Sequence, residues 1–156
     1  VAEADHQSLK LWLRLLTCST QIEIEIRRRL RQRFGVSLPR FDFLAQLHRH
    51  PDGLRMNALS RYLMVSGGNV TGLTDELEKD GLVARDGDPH DRRSVRVRLT
   101  PAGRRAFERM ASEHEGWVVE LFAGLDGSDK QALYDGLGRL RLQLTQGPAE
   151  AAGDGA

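Results

Sequence analysis

Between positions 85 and 105 the chain carries seven arginines, Arg85, Arg92, Arg93, Arg96, Arg98, Arg104 and Arg105, against three aspartates, Asp86, Asp88 and Asp91. Seven against three leaves this segment locally +4 in a chain whose formal net charge is only +1. Guanidinium groups gathered in this way suit phosphate oxygens in both charge and forked geometry, so the chemistry on offer is recognition of a polyanion. The competing reading is a solvated hairpin in which Arg93 simply pairs with Asp91. A second run, Arg27, Arg28, Arg29, Arg31 and Arg33, reads first as a solvated helix face. Its second reading is a holder of phosphates, from a nucleic acid or from a phosphorylated ligand.

The elements around the first cluster decide how it could be presented. In Val95, Arg96, Val97, Arg98, Leu99 apolar and basic residues alternate, which on a strand puts three apolar side chains on one face and two guanidinia on the other. Asp86-Gly87 and Asp88-Pro89 are turn dipeptides, so residues 87–93 form a loop projecting between two strands. Upstream, Met56, Leu59 and Leu63 mark a short one-sided helix, and Val70, Leu73 and Leu77 mark a second. Ser66 suits the N-cap of that second helix, running from Gly67 to Lys79, and Gly81 suits its C-terminal stop. Two helices joined by a tight turn, followed by a cationic hairpin, form the pattern of a winged helix-turn-helix.

In that pattern the start of the second helix meets base edges, which here means Ser66, Asn69 and Thr71. An Asn amide suits a bidentate contact with adenine, and a Thr methyl suits the methyl of thymine. Gly67 and Gly68 let the backbone come close to a phosphate at the helix N-terminus, or else form an ordinary interhelical loop. Arg92, Arg93 and Arg96 supply the wing's cations, with Asp91 beside them.

Longer helical patterns flank this unit. Leu9, Trp12, Leu13, Leu16, Ile22, Ile26 and Leu30 trace one helix ending near Phe34. Ser37, with Pro39 at the second helical position, opens another through Phe41, Leu44 and Leu47. Thr100 caps and Pro101 begins a third, carrying Phe107, Met110, His114, Trp117, Val118 and Leu121. After a break at 124–128, Leu133, Leu137, Leu140 and Leu144 form an apolar seam. These helices hold more apolar surface than one chain can cover, which calls for a second copy. The expected fold is mainly α: a helix-turn-helix at about 55–80, a two-stranded wing at about 82–100, and dimerisation helices at about 5–34 and 101–145. All of it belongs to one domain over 1–145, with a disordered tail at 146–156.

Composition excludes several classes. No run of about 18 apolar residues exists, which argues against a membrane span, and the start lacks the pattern of a secretory leader. A single cysteine suits a reducing cytoplasm rather than a disulfide framework. His48 and His50 sit two apart on a helix and point to different faces, so no metal site, no cofactor and no catalytic constellation is expected. Cys18 has no basic residue within three positions to stabilise a thiolate and reads as a buried small hydrophobe.

The order LTDELEKDGLV, DPHDRRSVRVRLT, LTPAGRRAF resembles the MarR family of winged helix-turn-helix repressors, over about residues 9–144. Its most specific part is Asp-x-Arg-Ser at 91–94 followed by Leu-Thr-Pro-x-Gly at 99–103. The resemblance implies a homodimer on a pseudo-palindromic double-stranded DNA operator, with wing arginines in flanking minor grooves. It also implies that Asp91 orients the guanidinium of Arg93, with Arg92 beside it at the tip. Gly72 stands where many members have a basic residue, which shifts weight to Ser66, Asn69 and Thr71 or to readout of DNA shape. Members commonly bind small aromatic ligands where the first, second and fifth helices meet the DNA-binding lobe. The residues at matching places are Trp12, Leu16, Phe41, Leu44, His48, Met110, His114 and Trp117. LMVSGGNVTGL is similar to regulators of aromatic-acid catabolism, some of which sense aryl-CoA thioesters, for which Arg27 and Arg28 would bind phosphate. Two alternatives stay open: a thiol redox sensor through Cys18, and a protein-interaction adaptor that never touches DNA.

Overall fold

The computed structural model describes residues 2–63, 69–87 and 90–147, with only the backbone given for residues 2–5 and for Arg92. The chain falls into two compact units, residues 1–117 and 118–156.

In the first unit, α1 (Ala2–Phe34) buries only its C-terminal portion, through Ile26 and Leu30, and leaves Leu9, Trp12, Leu13 and Leu16 exposed. α2 (Leu38–Arg49) begins as the sequence implies: the Ser37 hydroxyl accepts the Arg40 N–H at 3.4 Å, and Pro39 lies in the first turn. It supplies Phe41, Phe43, Leu44 and Leu47 to the core. α3 (Met56–Tyr62) and α4 (Val70–Lys79) add Leu59, Leu73 and Leu77.

Both ends of α4 are instructive. Its start departs from expectation, because the N-cap is Asn69 rather than Ser66, and the helix begins at Val70 rather than at Gly67. Ser66, Gly67 and Gly68 lie outside the described residues. The Asn69 side chain accepts the Gly72 N–H at 3.2 Å. The C-terminal stop agrees with expectation. Gly81 has φ +75, its N–H donates to Glu78 O and that of Leu82 to Leu77 O, which is the Schellman pairing of a helix end.

The expected two-stranded wing is part of a three-stranded antiparallel sheet in the order β1-β3-β2: β1 (Leu54–Arg55), β2 (Val83–Asp86) and β3 (Arg96–Leu99). β1 pairs Leu54 with Val97 and Arg55 with Arg96. Two residues are too few to show alternation, so this strand is invisible as a sequence pattern. It can approach only because Gly53 has no side chain: at φ +87, a Cβ there would lie 2.8 Å from the Val97 carbonyl oxygen. On β3, Val97 and Leu99 are buried while Arg96 is exposed and Arg98 half-exposed, as the alternation requires.

The first unit ends within α5 (Pro101–Leu121), which buries Gly103, Phe107 and Met110. In the second unit, α6 (Gly127–Thr145) opens on a capping box: Asp126 accepts from the Asp129 N–H and Asp129 accepts from the Asp126 N–H. Its leucine seam, Leu133, Leu137, Leu140 and Leu144, is exposed in the single chain, and α6 buries no residue.

Candidate nucleic-acid interface

At the N-terminal end of α4, Thr71 is exposed and Asn69 is bound into the cap. The Asn69 carbonyl oxygen is thus shared between the helix end and any base it meets, while its NH2 group is left to donate. Gly72 has a structural reason beside any functional one: a Cβ there would sit 3.4 Å from Asn69 Nδ2, against the folded-back cap. Below these residues Thr74 is fully buried, and its hydroxyl donates to the Val70 carbonyl at 2.6 Å.

The wing is shaped from both of its ends. Thr100 donates through its hydroxyl to Gly81 O at 2.7 Å and accepts the Gly103 N–H at 3.0 Å, so one side chain caps α5 and ties it to the end of α4. Gly103 follows for a steric reason, since a Cβ would fall 1.9 Å from the Leu82 carbonyl oxygen. The Leu-Thr-Pro-x-Gly string is therefore a packing joint that fixes the root of the wing. At the tip, residues 92–94 form a 3-10 turn capped by Asp91, whose carboxylate accepts the Arg93 backbone N–H at 3.0 Å. Ser94 donates to the Asp91 carbonyl at 2.8 Å. Asp91 therefore orders the main chain of the tip, whereas the resemblance implied a grip on the Arg93 guanidinium.

The arginines divide into two kinds. Arg98 is bonded to Asp86 across the β2–β3 pair. Arg85 spans two carboxylates of α4, Asp75 at 2.5 Å and Glu78 at 2.9 Å. Among the described residues Arg93 and Arg96 make no ion pair, and the one polar contact of Arg96 is with the Gly53 carbonyl at 3.4 Å. Of the cations that make the segment positive, those with no carboxylate partner among the described residues are thus Arg93 at the tip, Arg96 on the outer face of β3, and Arg104 and Arg105 at the start of α5.

The other arginine run behaves differently. Arg27 pairs with Glu23 at 2.8 Å, Arg28 and Arg29 both bond Glu25, and Arg33 reaches Glu113 at 3.0 Å. Hydrogen bonds from Arg28 and then Arg29 hold the Glu25 carboxyl down to about 2. Arg27 and Arg28 are thus neutralised on their own helix, which favours the solvated face.

The residues suggested for an effector are only partly brought together. Phe41, Phe107, His48, His114, Trp117 and Phe34 form a chain of ring contacts with centroids 4.8–6.4 Å apart. Leu44 and Met110 are buried core, while Trp12 and Leu16 stand exposed on α1 and join no ring contact among the described residues. His48 Nε2 lies 3.2 Å from Glu108, and burial lowers the pKa of His114. An open groove of about 1260 Å³ is lined instead by Phe34, Val36, Leu82, Ala106, Arg105 and Arg109 among others, and Met110 is the one suggested residue on it. Beside α1, burial first and Glu23 second push half-buried Asp42 up to about 6, against Arg27 and Arg49. Cys18 is exposed rather than buried, because only the C-terminal part of α1 is covered by its own chain. Among the described residues no cluster of His, Cys, Asp or Glu could hold a metal, and no helix is long and apolar enough to cross a membrane.

This arrangement of three-stranded sheet, helix pair and flanking helices recurs in known proteins. A family model described as MarR family matches residues 34–94, from the end of α1 through the wing tip. The solved structure of a MarR family transcriptional regulator from Silicibacter pomeroyi is 33% identical, covers 90% of this chain and 98% of that one, and superposes with a TM-score of 0.75. The chain is 36% identical over 104 residues to the transcriptional activatory protein BadR of Rhodopseudomonas palustris, which is 65% of this chain and 59% of that protein's length. Sco3205 of Streptomyces coelicolor, a MarR family regulator solved in complex with DNA, shares the fold at 24% identity and a TM-score of 0.73, over 94% of this chain and 92% of that one. The chain belongs to the MarR family of transcriptional regulators, and is not an enzyme.

Proposed function

We propose that this protein is a ligand-responsive, homodimeric repressor that binds a pseudo-palindromic operator in the cytoplasm and is released by a small aromatic acid or its CoA thioester. The observation that carries DNA binding is the exposed N-terminal end of α4 in a lobe where, among the described residues, Arg93 and Arg96 of the wing pair with no carboxylate while Arg85 and Arg98 do. An exposed helix start with free N–H groups attracts phosphate, and free guanidinia enter a narrow minor groove. Sco3205, with which the chain shares its fold, was solved bound to DNA, and this supports the same use of the fold here. Exposed leucines on α1 and, separately, on α6 support a second copy as their cover.

The test is selection of a duplex from a random-sequence pool, followed by titration of that duplex across salt. Binding to a two-fold symmetric site, with log affinity falling steeply against log salt, supports the reading. Failure to select any duplex favours the adaptor alternative. Release is tested by adding aromatic acids and CoA thioesters to the complex, with a rise in melting temperature of the free protein as the second readout. Because BadR is named an activator, transcription from the selected site is measured as well, and a gain on binding overturns repression. A Cys18→Ser variant that oxidant no longer releases from DNA, where the wild type is released, would favour the redox alternative.

A further inference from the structure

Arg85 is the wing arginine whose side chain is most fully committed to another element. Its two terminal nitrogens reach Asp75 at 2.5 Å and Glu78 at 2.9 Å, three residues apart on one face of α4. Those hydrogen bonds, Asp75 first, raise its pKa further. Thr71 lies four residues before Asp75, one turn away on the same face, so this clamp continues the surface that the exposed end of α4 presents. On the other side Arg85 belongs to β2, opposite Val97 of β3, the strand that carries Arg96. The three charges join the reading helix to the wing.

We infer that Arg85 is a positioning residue: it contacts no DNA and, through Asp75 and Glu78, fixes the wing strands against α4. This rests on the DNA-binding reading above. A partly exposed ion pair contributes little to folding, so the effect belongs to recognition rather than to stability. Geometry between two reading elements matters most where both must engage at once, as on a selected site, and little on an arbitrary duplex.

The experiment compares wild type, Arg85→Ala, Arg85→Lys and the double variant Asp75→Asn/Glu78→Gln on the selected duplex and on poly(dI·dC), each over a range of salt. For Arg85→Ala the expected result is about a tenfold loss on the selected duplex. Its affinity for poly(dI·dC), its salt slope and its melting temperature stay near those of wild type. Arg85→Lys regains part of the loss. The double variant also weakens selected binding, although it removes two negative charges. Three results would overturn the inference: unchanged selected binding in Arg85→Ala, a slope shallower by about one as for a lost phosphate contact, or tighter selected binding by the double variant. A wild type that selects no duplex would instead overturn the DNA-binding reading itself.

Discussion

The two arginine clusters are similar in count and opposite in circumstance. On α1, four of the five arginines, Arg27, Arg28, Arg29 and Arg33, meet a carboxylate, most of them one helical turn away, and their charge is spent locally, while Arg31 makes no ion pair among the described residues. In the wing, Arg85 and Arg98 are tied to Asp75, Glu78 and Asp86, but among the described residues Arg93, on a turn whose backbone Asp91 holds in shape, and Arg96, on β3, have no acidic partner. The lesson is that a count of cations does not locate a binding surface. What locates it is which cations the fold leaves unanswered, and a rigid support beneath them.

The support is the first thing to break. Gly103→Ala drives a methyl into the Leu82 carbonyl, so the joint between α5 and the wing root must open. The expected cost is about 3 kcal/mol of stability, read as a large fall in the denaturant midpoint. A midpoint unchanged from wild type would mean that Leu82 moves freely and that the wing root is not fixed there. Next in size, Arg93→Ala should weaken binding to the selected duplex by about 2 kcal/mol without altering the melting temperature. Equal affinity would remove Arg93 from the interface.

Asp42 probes the α1 side through pH. Its carboxyl is raised from 3.8 to about 6, so the folded protein holds that proton more tightly than the unfolded chain does. The stability this confers is complete below about pH 4 and is lost as pH rises to about 6. Asp42→Asn, which stays neutral, should therefore exceed wild type by about 1 kcal/mol at pH 7, once partial exposure is discounted, and match it near pH 3.5. A gain independent of pH would show that Arg27 already balances Asp42. The smallest effect is expected from Arg27→Ala, below about 0.5 kcal/mol in stability and none in DNA binding, as for an exposed intrahelical pair.

Local chemistry made much of this legible from sequence. Ser37, Thr100 with Pro101, and Gly81 each act within a few residues, through a cap or a left-handed backbone, and each does what its type implies. The alternation of residues 95–99 carried the wing face correctly. What stayed hidden depends on partners far along the chain or on competition between neighbours. β1 exists because Leu54 finds Val97, and Gly53 permits it. The cap of α4 is Asn69, a type the sequence offers as readily as Ser66. Arg85 counted as a wing cation until Asp75 and Glu78 came into reach, and Cys18 looked buried because the pattern of α1 cannot say which of its turns another element covers. For the effector residues, type placed several rings together but could not distinguish a packed stack from an open groove.

The most direct measurement is the salt dependence of binding to the selected duplex for two variants side by side, Arg93→Ala/Arg96→Ala in the wing and Arg27→Ala/Arg28→Ala on α1. If the unanswered cations are the interface, the wing variant loses affinity and its slope of log affinity against log salt becomes shallower by about two, while the α1 variant retains the wild-type line. A shallower slope in the α1 variant, or a wild-type line in the wing variant, would contradict the account.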